Sequence, residues 1–235
     1  MVEDERLWRR WRTFFQSRAN APLPVLESAN ELHATARLGA SLARFQRSEA
    51  RAGWHAGGGL TAGDYGAEQS RATAALGAEK ARHGNILAIA VRALGAEIRP
   101  QRFGSRRSGI GRWPLFGLAA EAAGTAYYMS IAAKLPVSRV KSWLEQIVSE
   151  KRSHLEFRAE LFAASRGPSA AMVNAAWPCV AAAAALHVLL MHGRTLRDMG
   201  IERAAYRDRH RALADMAKKL VQVSATPHPG VVEVS

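Results

Sequence analysis

Two short stretches of this chain place chemically active residue types at helical spacing. The first is Ala78-Glu79-Lys80-Ala81-Arg82-His83, and Ser149-Glu150-Lys151-Arg152-Ser153-His154 repeats its pattern. In each, a glutamate precedes a histidine by four residues, which on a helix puts carboxylate and imidazole on one face. The two histidines are too far apart for one helix, and their separation suits a helical hairpin that occurs twice. A helix bundle that presents such a pair from each of two helices, and one more carboxylate from each of two others, can hold two bridged cations. Carboxylates with one imidazole per metal suit iron or manganese. Glu121 is the natural single carboxylate of the third bundle helix, and Glu31 is the choice for the first, with Glu27 and Glu49 as rivals. The expected ligand set is therefore Glu31, Glu79, His83, Glu121, Glu150 and His154. Tyr128, about two turns beyond Glu121, could line the same pocket, with a core tyrosine as the plain alternative.

The helices that must carry these residues follow from apolar periodicity. Leu76, Glu79, Leu87, Ala90 and Leu94 fall within about 40° of His83 around a helix axis, so the face with the ligands goes into the core. Trp143, Ile147, Glu150 and Leu161 do the same for His154. Helices are predicted over residues 26–52, 64–94, 115–134 and 138–165, followed by an apolar helix at 170–192 and a charged one at 202–221. The glycines between 53 and 63 read as a flexible connection, without the lysine or strand of a phosphate loop. Residues 95–114 form a basic, glycine-rich loop, the long crossover expected halfway through such a bundle. The fold class is thus all-α. A basic amphipathic arm spans 1–25, a four-helix bundle 26–165, a C-terminal helical extension 166–222 and a loose tail 223–235.

The repeated hairpin, the crossover and the ligand pattern resemble the ferritin-like superfamily, in its rubrerythrin-like and dimetal-oxygenase branches. The resemblance covers about residues 26–165 and is carried mostly by Ala120-Glu121 and by Ser149 through His154. It implies a di-iron or manganese carboxylate centre that activates oxygen on a small organic substrate. In that superfamily the helical pairs read Glu-x-x-His, and the liganding glutamates would fall on Lys80 and Lys151. Two readings follow. A glutamate shifted by one residue still faces nearly the same way and could reach a metal, with the lysine turned to the flank. Alternatively, each ammonium sits in the site and pairs with Glu79, Glu121 or Glu150, replacing metal charge with protein charge in a metal-free bundle. There Lys80 and Lys151 would carry binding or acid–base chemistry.

Composition bounds the remaining choices. The chain has 235 residues, of which 48% are hydrophobic, enough for a real core. A formal charge of +13 calls for an anionic partner or a basic face. Cys179 is the one cysteine, which excludes a disulfide framework and a cysteine zinc site. Trp8, Trp11 and Phe15 share one side of the arm among many arginines, a pattern suited to an anionic membrane surface or to docking on the chain's own domain or a dimer partner. The arginines of 95–114 could grip phosphates of nucleic acid, with a solvated loop as the plain alternative. The acidic N-terminus argues against a secretory signal. The apolar stretch 167–193 is expected as a buried helix rather than a membrane span. A cytoplasmic protein, peripheral to the membrane if the arm binds lipid, is expected. His187 and His192 are expected in the core, and His33 and His210 on the surface.

Overall fold

The computed structural model describes residues 2–26, 36–58, 66–98, 114–164 and 170–225. Among them the chain is all-α: α1 (Val2–Ala19), α2 (Ala36–Gly58), α3 (Ala67–Ala93), α4 (Pro114–Ala132), α5 (Arg139–Ala164), α6 (Ala170–Asp198) and α7 (Arg203–Ala225). Helices α2 and α3 pack closely as one antiparallel pair and α4 with α5 as another, while α3 meets α5 across the middle. Helices α6 and α7 lie on α4, α7 also touches α5, and α1 lies along α3.

The ends of α3 and α6 are set by glycine. Gly95 (φ 68°) and Gly200 (φ 65°) adopt left-handed backbone. The amide of Ala96 reaches Val91 O at 3.0 Å and that of Ile201 reaches Leu196 O at 2.8 Å. These bonds satisfy carbonyls the helix end would leave unpaired, which is the Schellman arrangement.

The glycine run is corrected at its start. Helix α2 continues through Gly53 to Gly58. At Gly53 the reason is close packing, because a Cβ there would stand 2.7 Å from the carbonyl oxygen of Gly77 on α3. Gly84 of α3 similarly faces the backbone of Ala50, where an added Cβ would lie 3.2 Å from the amide nitrogen. Absent side chains let these two backbones approach. The basic loop expected at 95–114 falls largely outside the described residues, as do Glu27, Glu31 and His33.

The main core is built from leucine, alanine and aromatic side chains of α2 to α7. A smaller cluster joins Trp8, Trp11 and Phe15 of α1 to Ala72, Ala75 and Leu76 of α3 and Phe157 of α5. Trp11 Nε1 also donates to Glu160. The aromatic face of the arm is therefore covered by its own chain.

Helix α6 departs from the buried helix expected of it. Val173, Trp177, Ala181, Ala184 and Val188 go into the core, while Leu186, Leu190 and Met191 face outward. Over Val173–Asp198 it is long and apolar enough to cross a membrane by length and composition, yet one side packs on α4 and α7. His192 is buried, with Nδ1 2.7 Å from Ser41 Oγ. Two histidine expectations reverse: His187 is exposed and His210 is buried. Each follows from which face of its helix meets α4 or α5, something local polarity does not reveal.

Candidate functional site: a buried lysine–glutamate cluster

Four central helices send charged side chains to one point. Helix α2 contributes Glu49, α3 Lys80, α4 Glu121 and α5 Lys151, all buried. The Lys151 ammonium donates to Glu49 Oε1 at 2.6 Å and to Glu121 Oε1 at 2.5 Å. The Lys80 ammonium donates to Glu121 Oε2 at 2.6 Å and to Glu49 Oε2 at 3.5 Å. Each carboxylate thus turns one oxygen to each ammonium. Two bridging carboxylates hold two cations, and the cations are lysines.

A second ring of polar groups lies beside the first. His154 Nδ1 is 3.2 Å from Glu121 Oε1, and His154 Nε2 is 3.1 Å from Glu79 Oε1. His83 Nε2 lies 2.6 Å from Glu150 Oε2, and the two imidazoles stack with centroids 5.2 Å apart. Arg82 donates to both oxygens of Glu150 at 3.2 and 3.0 Å, and Gln146 adds a bond of 2.9 Å. Arg18 of the N-terminal helix reaches in, 3.0 Å from Glu79 Oε1 and 3.8 Å from Glu150 Oε2. Arg158 approaches Glu121 Oε2 at 3.4 Å.

The titration behaviour follows from burial set against these partners. Burial raises the carboxyls of Glu49 and Glu121, but the lysine ammoniums win, holding Glu49 near a pKa of about 2 and Glu121 well below the usual carboxylate range. Glu150 is also lowered to about 2, where the bonds from His83 and Gln146 overcome desolvation. The lysines diverge. Burial alone would depress both, yet Lys151, with two short bonds to carboxylates, is raised. Lys80, with one short bond and one long, is lowered. Burial pushes His83 down to about 4, which keeps its imidazole neutral near pH 7.

Most of the expected residues therefore meet. Glu79, His83, Glu121, Glu150, His154, Lys80 and Lys151 form one network, with the lysines inside it rather than turned to the flank. Tyr128 packs beneath it: its ring centroid is 5.8 Å from Lys151 Nζ, and burial raises its hydroxyl pKa well above the ordinary tyrosine value. The tyrosine contributes a π face, and its hydroxyl has no hydrogen-bond partner among the described residues. Glu31 lies outside the described residues, and Glu49 fills the place of a first-helix carboxylate. A signal for Glu49 existed. Glu121 and Lys151 are 30 residues apart, and Glu49 and Lys80 are 31 apart. Arg18 and Arg82 gave no such signal, since arginines are abundant throughout this chain.

One group of potential metal ligands is present among the described residues. Ligand atoms of Glu79, His83 and His154, all buried, lie within 4.8 Å of one another. The Arg18 guanidinium occupies the same neighbourhood. No protein-family model, no curated protein and no solved structure matches the chain.

Proposed function

We propose that this chain is a metal-free ferritin-like helical protein in which Lys80 and Lys151 stand in for two metal ions. In this reading the charged cluster ties four helices together, and the biochemical work is binding of an anionic partner at the basic exterior. The observation that carries it is the pair of ammoniums bridged by the same two carboxylates. A di-iron or dimanganese centre does not fit this donor set. Its cations would have to displace ammoniums hydrogen-bonded to the bridging oxygens, and an ammonium is not a ligand until it loses a proton. Charge agrees with the binding half of the proposal. The four cluster carboxylates are nearly balanced by two lysines and three arginines, so almost all of the +13 excess lies outside the cluster.

Metal analysis of protein purified from cells grown with added iron and manganese tests the core. The expected result is substoichiometric metal and unchanged thermal stability after chelation. Stoichiometric iron or manganese that survives dialysis would overturn the reading. A Lys80→Glu/Lys151→Glu variant restores the missing carboxylates, and it should bind ferrous or manganous ions where the parent does not.

A second reading is favoured by one observation, the convergence of Glu79, His83 and His154. A single divalent cation there would use two imidazoles and one carboxylate, and it requires Arg18 to withdraw. The same metal analysis separates the readings, since this one expects one metal per chain.

A further inference from the structure

Helices α6 and α7 run antiparallel from the turn at Gly200 and leave a groove of about 560 Å³ between them. Its floor includes Trp177, Ala181 and Ala185 of α6, and one rim carries Arg207, Arg211 and Lys218 of α7. The three cations fall at i, i+4 and i+11, which places them within about 40° of one another on the helix. Arg207 and Lys218 have no carboxylate partner among the described residues, and Arg211 has only a 3.9 Å contact with exposed Asp208. Among the described residues Asp215 is the one acid lining the groove. His210 also lines it, and burial lowers its pKa, so the positive charge of the rim comes from the arginines and the lysine.

We propose that this groove binds an acyl-chain amphiphile, with its chain along the α6 floor and an anionic carboxylate or phosphate head on the α7 rim. The volume lies in the range of small-molecule pockets, roughly 300–1,000 Å³. The floor from Trp177 to Leu189 runs about 18 Å along the helix, the extent of a chain rather than of a compact metabolite. Leu186 forms an apolar lip that continues into exposed Leu190, so a longer chain is shielded beyond the groove. The proposal rests on the binding reading for the sign of the ligand's charge. Metal analysis tests the core and ligand titration tests the groove, so either can fail alone.

The test is calorimetric titration of the full chain with monomeric dodecanoate and dodecyl phosphate, each below its micelle-forming concentration. Dodecanol serves as the uncharged control. Saturable binding of one anion per chain is expected, with dodecanol weaker. Ala182→Trp, at an exposed position lining the groove, should abolish binding by filling it. Arg207→Gln/Arg211→Gln/Lys218→Gln should weaken binding about tenfold, as loss of three solvent-facing charges implies. Melting curves like the parent's show that both variants are folded. Absence of saturable binding, or binding indifferent to both variants, overturns the proposal. Binding to phosphatidylglycerol vesicles without binding of the monomeric anions also overturns it, in favour of a bilayer contact.

Discussion

At the scale of residues, the cluster works because charge is taken out of water only in compensated form. Removing one partner leaves a buried charge exposed to low dielectric, at a cost of about 3–5 kcal/mol. Lys151 has the two shorter bonds, so Lys151→Met should be the more damaging of the two lysine substitutions. For a chain of this length that cost lowers Tm by about 6–20 °C. Lys80→Met should cost less, because one of its two bonds is long. Differential scanning calorimetry decides it, and a Lys151→Met protein that melts like the parent would remove the cluster from any account of stability. Replacing Glu49, Glu121, Lys80 and Lys151 together by leucine and methionine is expected to be neutral or stabilising, since burial of the set costs about as much as its attractions return. Arg18 carries a separate expectation. Its guanidinium sits against Glu79 beside His83, whose pKa of about 4 leaves a neutral imidazole near pH 7. Arg18→Ala should therefore raise the affinity for zinc or manganous ion above that of the parent in titration calorimetry. If the variant gains no affinity, the single-metal reading loses its site.

At the scale of elements, geometry depends on how closely α2 approaches α3, because Glu49 and Lys80 sit on facing sides of that pair. Gly53 makes the approach possible, and no smaller residue exists. Gly53→Val would drive its side chain into the Gly77 carbonyl and Ala81. Overpacking of this kind costs about 1–3 kcal/mol, and pushing the helices apart lengthens the Lys80–Glu49 contact, already 3.5 Å. The urea midpoint should fall accordingly, whereas Gly193→Ala, with nothing near its added methyl, should leave the midpoint at or above the parent's. The same position shows why element boundaries were hard to read from sequence. Glycine marks both flexible linkers and tight helix contacts, and only the partner helix distinguishes them. The arm illustrates a related limit. Its aromatic stripe suits lipid and protein equally, and the apolar surface around Phe157 that covers it is formed by residues distant in the chain.

At the scale of the whole molecule, two hairpins each bring a glutamate, a lysine and a histidine to one centre, Glu49–Lys80–His83 and Glu121–Lys151–His154. Much of this was legible because charged residues on apolar stripes can only be buried together. The all-α class was legible in composition and helical periodicity together. The outer partners of the cluster were not legible, since Arg18 arrives from an element whose place is fixed by packing, not pattern. The buried histidines and carboxylates then make acid sensitivity a property of the helical core as a whole. His83 and His192 both have folded pKa values lowered to about 4 from 6.5. Groups held neutral in this way contribute fully above pH 6.5 and lose that contribution as pH falls to about 4, because the unfolded chain takes up the protons first. Glu49 and Glu150 are lowered from 4.5 to about 2, so their contribution is present above pH 4.5 and disappears on the way to about 2. As pH falls below 6.5, stability should therefore decline through a histidine stage and decline further through a carboxylate stage. Urea unfolding at a series of pH values from 8 to 3 resolves the two stages. His83→Gln can still donate to Glu150 but does not titrate, so it should make the upper stage shallower, leaving the share of His192, while the lower stage stays in place. An upper slope identical to the parent's would mean that His83 is not held neutral by burial in the folded protein.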